Sequence, residues 1–183
     1  MKHKNREQQP NDARSSYYDI NVSLDERQQL VNHILEEMQH HFGANLVSLV
    51  LYGSTARGDC RPDSDIDLLI ICDGLPQSKL ERIRLAAPVV EKVRKHFEQT
   101  FHKPAPYISL ILKNQTEASY HSALYLDMLE EGKILFDRNE FITSVFAEMR
   151  QTLKALGSRR IVIGNKWYWD LKPDYRWGEE FRV

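Results

Sequence analysis

VLYGSTARGDCRPDSDIDLLII, residues 50–71, is the stretch on which the fold turns. An apolar run breaks at Gly53-Ser54, crosses a polar loop and resumes as IDLLII, with Asp65 and Asp67 at its start. Side chains alternate faces along a strand, so residues two apart project the same way. Asp65 and Asp67 therefore stand together, while Ile66 and Leu68 turn to a core on the other face. Two bare carboxylates about 5 Å apart repel by roughly 3 kcal/mol at an effective dielectric near 20. A stable fold accommodates the pair when a cation sits between them, a proton is shared or water reaches both. Two aspartates with room for a hard divalent ion read as a magnesium site, because Mg²⁺ takes a few carboxylates and completes its shell with phosphate oxygens and water.

Gly53-Ser54 supplies a complementary half. Glycine ends the first strand and lets the backbone turn tightly. If STAR opens a short helix, Ser54 and the first free amides form an anion site. A phosphate chain held there could share its oxygens with a metal on Asp65 and Asp67, which points to phosphoryl or nucleotidyl chemistry. Taken singly, each piece also reads as an ordinary turn or a solvated strand start. Taken together, Gly53, Ser54, Gly58, Asp65 and Asp67 at residue frequencies near 6% match by chance on the order of once in a million starts. The joint pattern favours a site.

Outward from this stretch, Ser23 with Glu26 three residues on is a capping box. It opens a helix whose stripe runs Leu30, Ile34, Met38, Phe42, with Gly43 as its stop. Residues 46–52 and 66–71 read as buried strands, and 106–113 as a third. Residues 80–101 have helical spacing with Pro88 inside, which predicts a kink or two shorter helices. A helix around 116–131, a short strand at 133–137 and an amphipathic helix at 140–156 follow. The expected class is α/β (α+β), a small mixed sheet flanked by helices. The expected division is a flexible arm (1–19), one catalytic domain (20–157) and an irregular aromatic tail (158–183) packing on the domain or on a partner subunit.

Lys plus Arg number 25 against 26 Asp plus Glu, so no bulk charge argues for nucleic acid or an anionic membrane as partner. Two cysteines are too few for a disulfide framework, and the hydrophilic N-terminus lacks an apolar secretory core. No apolar run approaches a bilayer span, so a cytoplasmic protein is expected.

GSTARGDCRPDSDIDLLI resembles the signature of the DNA polymerase β-like nucleotidyltransferase superfamily: Gly-Ser, ten residues, then Asp-X-Asp. It is most similar to the small bacterial, minimal nucleotidyltransferase-domain proteins, and EGKILFD (131–137) resembles a stretch they often carry. The resemblance implies a polymerase β palm-like fold and a Mg²⁺-dependent transfer of an NMP, AMP from ATP first among them. The product leaves on a hydroxyl acceptor, with pyrophosphate released. It implies Asp65 and Asp67 as catalytic ligands of one or two Mg²⁺ ions, with Gly53 and Ser54 cradling the phosphates and Arg57 supporting the loop or touching phosphate. Ser64 joins the nucleotide side. Lys113 reads either as a phosphate contact or as a solvated strand end. The acceptor is left open among protein, RNA and small molecule, and a homo-oligomer or a toxin-like partner is compatible. One departure stands out. The family's third carboxylate, on the next strand, aligns with Ser109; residues 103–113 hold no Asp or Glu, and Glu117 is the nearest substitute. The alternative reading is a catalytically weak nucleotide- or partner-binding module of the same fold.

Overall fold

The computed structural model describes residues 21–164 and 166–182; the arm expected over 1–19 lies outside them. Ser23 caps α1 (Leu24–Phe42) as its sequence announces: the Glu26 N–H donates to Ser23 Oγ, and the Ser23 N–H donates to the Glu26 carboxylate at 2.8 Å. After a 3₁₀ turn come β1 (Leu46–Tyr52), the single-turn helix α2 (Gly53–Arg57) and β2 (Ile66–Cys72). Then follow α3 (Lys79–Phe101), β3 (Ile108–Lys113), α4 (Gln115–Ser119), α5 (Ala123–Glu131), β4 (Lys133–Asp137) and α6 (Phe141–Ala155). The chain closes with β5 (Arg159–Ile163) and β6 (Lys166–Asp170).

The central sheet has the order β3-β2-β1-β4. β1 runs antiparallel to both β2 and β4, while β3 runs parallel to β2, so the sheet is mixed. Strand alternation gives it two apolar faces. Ile66, Leu68 and Ile70 join Leu49 and Leu51 under α1 and α3, whereas Leu69 and Ile71 join Val47 and Val50 under α5 and α6. β2 is buried on both faces, and only its first turn of side chains carries charge.

Three expectations need correction. Of the two alternatives for residues 80–101, the pair of shorter helices is overturned: α3 is one helix through Pro88, which lies on the solvent face, so the carbonyl of Arg84 left without its amide partner stays wet. The helix expected at 116–131 is two. α4 opens on an Asn114–Glu117 capping box and stops at Tyr120, and α5 begins after Ser122, where the buried Tyr125 donates its hydroxyl to Ala118 O. The tail is irregular only beyond Asp170: β5 and β6 form an antiparallel hairpin, turned at Gly164 with φ +59°, and Trp169 and Leu171 pack against the α5–α6 core. No helix among the described residues is long and apolar enough to cross a membrane.

Candidate active site

The turn from β1 into α2 and the start of β2 meet at Asp67. In the sheet Asp67 stands between Tyr52 of β1 and Ser109 of β3. Gly53 has φ +73°, and a Cβ on it would lie 2.5 Å from Asp67 Oδ2. The glycine is therefore needed twice, for the left-handed backbone and for the closeness of the carboxylate. Gly53→Ala should lose about 1–2 kcal/mol from the backbone alone, read as a lower urea midpoint, and should push the Asp67 carboxylate off the turn.

Burial raises the Asp67 carboxyl above the ordinary carboxylate range; the Ser109 hydroxyl draws it back down, and the Asp65 charge pushes it up again. Tyr52 is pushed up to about 12, first by burial and then by the Asp67 charge. Asp65 is exposed, and its carbonyl accepts from the buried Thr55 hydroxyl at 3.0 Å, which ties α2 to the start of β2. Asp59, Asp63 and Asp73 each have an arginine partner, whereas among the described residues Asp65 and Asp67 have no ion pair. A half-buried carboxylate with an exposed one two residues away, neither in an ion pair among the described residues, is a donor set that fits a divalent cation.

The loop between α2 and β2 is held from α1. Arg27 is 1% exposed, and its guanidinium donates to the carbonyls of Ser64 at 2.7 Å, Pro62 at 2.7 Å and Arg61 at 3.1 Å. Ser64 closes the same turn, its hydroxyl accepting from the Arg61 N–H at 2.9 Å. Arg57 reaches Asp59 at 3.1 Å and Glu131 of α5 at 3.4 Å, bracing the end of α2. Glu131 also accepts from Arg160, whose guanidinium lies 4.1 Å from the Trp167 ring centre, so the hairpin is linked to the same brace. α2 is five residues long, so what it offers an anion is the aim of its first free amides rather than a summed dipole.

Sequence reasoning placed two further side chains that the fold keeps apart from the pair. Lys113 shares the face of Asp67 but pairs with Ile71, four steps along the strand, about 13 Å away. There it lies 4.7 Å from the Tyr125 ring centre, and burial lowers its ammonium below the usual lysine range. Glu117 is held by Arg82 in a forked pair of 2.5 and 2.9 Å, which keeps its carboxyl low. It cannot serve as the third carboxylate, and that place holds Ser109. No cluster of three or more His, Cys, Asp or Glu with metal-holding geometry occurs among the described residues. Because Arg82 is only 4% exposed, Glu117→Ala strands a buried guanidinium. The expected loss is about 2–3 kcal/mol, less than for a fully buried pair because Glu117 reaches water, measured by urea unfolding.

Arg27, Thr55 and Tyr52 escaped the reading of the sequence. Arg27 had a signal: it falls on the apolar stripe of α1 with Val31, Ile34 and Met38, where a charge has no business unless it is bonded.

Comparison with known proteins agrees with this frame. The family model described as "Nucleotidyltransferase domain" matches residues 31–144, more than half of the chain. The chain is similar to the "Putative protein adenylyltransferase" of Methanocaldococcus jannaschii, with 29% identity over 139 residues, 73% of this chain and 88% of that one. Among solved structures it is similar to the toxin-antitoxin MntA-HepT, with TM-score 0.37 and 17% identity, covering 70% of this chain and 90% of that one. It is also similar to spectinomycin adenyltransferase AAD(9) from Enterococcus faecialis, with TM-score 0.47 and 15% identity, covering 71% and 66%. With the family model spanning the chain from within α1 to the start of α6, the chain belongs to the nucleotidyltransferase domain family and is a transferase of that class.

Proposed function

We propose that this protein transfers AMP from ATP to a hydroxyl of a protein acceptor, releasing pyrophosphate, with magnesium held by Asp65 and Asp67. The observation that carries the reading is the Asp67 carboxylate, packed against the Gly53 turn near a second carboxylate and, among the described residues, in no ion pair. The choice of AMP and of a protein acceptor is supported by the adenylyltransferase relative. A small toxin-like protein is one acceptor this reading admits.

The amides of the Gly53-Ser54 turn face the β- and γ-phosphates and orient the leaving group. Thr55 and Arg27 fix the two backbones that carry the turn and the carboxylates, so the pair is aimed before substrate arrives. Arg57 braces α2 against α5, and Ser64 shapes the entry to β2 rather than touching phosphate. Bound magnesium supplies the positive charge that lets a triphosphate approach two carboxylates. The acceptor hydroxyl attacks the α-phosphorus, the bond to the bridging oxygen breaks, and pyrophosphate leaves.

Ser109 cannot take the acceptor proton as a carboxylate would, and loss of a general base typically costs 10²- to 10⁴-fold. Slow transfer is therefore expected. Ser109 is also the observation that favours a second reading, a module that binds nucleotide and partner without turnover. Incubation with magnesium and ATP labelled at the α- or the γ-phosphate, in cell extract, separates the two. The transfer reading predicts a protein labelled from the α-position alone and lost in Asp65→Asn/Asp67→Asn. Metal-dependent ATP binding with no labelled protein leaves the binding module.

A further inference from the structure

The aspartate pair has two flanks. On the β1 side stands the Gly53 turn. On the β3 side the row of the sheet continues from Asp67 to Ser109, and Tyr107 lies just ahead of Ile108, the first residue of β3, which pairs with Ile66. That pairing is fixed by the Ile66 N–H, which donates to Tyr107 O at 2.8 Å. Burial alternates along the segment: Pro106 buried, Tyr107 71% exposed, Ile108 buried, Ser109 partly buried. The alternation places Tyr107 on the face of Ser109, and Ser109 pairs with Asp67. Neighbouring strands lie about 4.8 Å apart, so an exposed phenol that enters β3 beside the start of β2 is within a side chain's length of the Asp67 carboxylate.

Displacement at phosphorus is in line, with the nucleophile opposite the leaving group. If pyrophosphate leaves toward the Gly53-Ser54 turn, the attacking hydroxyl arrives from the β3 flank. The candidates on the chain narrow quickly. Tyr52 lies on the leaving side, at the end of β1 beside the Gly53 turn. Ser109 is partly buried and stands across from Asp67 in the sheet. Tyr120 follows the far end of β3. Tyr107 is the exposed phenol on the attacking flank.

We propose that Tyr107 is itself an acceptor, so that the protein adenylylates its own phenol. This rests on the transfer reading above and names a substrate for the same site. The Tyr107 Oη–phosphorus bond forms as the bond from the α-phosphorus to the bridging oxygen breaks. Pyrophosphate departs with that electron pair, and the phenol proton passes to the water that bathes the exposed ring. The product carries AMP in phosphodiester linkage over the aspartates, closing the flank from which any other acceptor must come. Modification is then self-limiting: one turnover in the chain's own site shuts that site.

The test is mass spectrometry of the whole purified chain after incubation with ATP and magnesium, alone and with cell extract, followed by peptide mapping. The expected result is one AMP per chain on the peptide carrying Tyr107, absent in Tyr107→Phe and in Asp65→Asn/Asp67→Asn. An extract protein labelled through the aspartates, with Tyr107 unmodified, overturns this inference and leaves the transfer reading standing. No AMP on any protein overturns both. AMP on a different residue of this chain, or on Tyr107 in the double aspartate variant, overturns the self-modification of Tyr107.

Discussion

Asp67→Asn is expected to abolish transfer and, at the same time, to stabilise the metal-free fold. Removing one of two ligands forfeits several kcal/mol of charge stabilisation, so the rate of labelling should fall by about 10³-fold or more. The stability effect runs the other way because Asp67 is a half-buried charge with Asp65 beside it and no cation among the described residues. Its folded-state pKa is raised above the unfolded value. Between those two values the folded form holds the extra proton, so stability falls as pH rises through that window and stays low above it. The amide has no such penalty. In the absence of magnesium the variant should therefore melt above the wild type at neutral pH, and the gap should close as pH falls below the ordinary carboxylate value of about 3.9. Magnesium should raise the melting temperature of the wild type and leave that of the variant unmoved. Equal melting at neutral pH with equal magnesium response would remove Asp67 from the metal-holding pair.

The same residue shows what the sequence could and could not disclose. Strand parity and a capping box are local rules, and they sufficed for α1, β1 and β2 and for the charged start of β2 at Asp67. Parity says nothing of distance along a strand, so Lys113 was read near a pair that it faces from four steps away. Pro88 did not split α3, because the carbonyl it frees is on an exposed face that water reaches, and exposure is a tertiary fact. The split between α4 and α5 has no glycine or proline to mark it; it is set by the buried Tyr125 reaching back to Ala118. The β5–β6 hairpin did have a local marker, Gly164-Asn165 between two β-rich runs, and the density of aromatic residues drew attention from it. Glu117 was legible as a carboxylate but not as one already held, since Arg82 lies 35 residues away in sequence.

Arg27→Met is expected to cost both stability and transfer, although Arg27 touches neither carboxylate. Its place is unfavourable by local rules: it lies one turn into α1, where the helix dipole opposes a cation, and on the stripe that faces the core. What it gains there is three carbonyls of the loop that leads into Asp65. Methionine fills the channel and offers no donor, so Arg61, Pro62 and Ser64 must find water or move. A fully buried carbonyl left alone costs about 1–3 kcal/mol; with water reaching part of this loop, a total near 2–4 kcal/mol is expected by urea unfolding. Lysine should not restore it, because a single ammonium lacks the fork that serves three acceptors at once. Transfer should fall by about 10²-fold, the usual consequence of a reacting group displaced by an ångström, while the aspartates themselves remain. Hydrogen exchange discriminates this from general loosening. The Ser64 N–H, bonded to Arg61 O, should lose protection in Arg27→Met, whereas the amides of Leu68 to Ile70, in the middle of the sheet, should keep theirs. Loss of protection across β2 as well would mean that Arg27 supports the core, and the loop only through it.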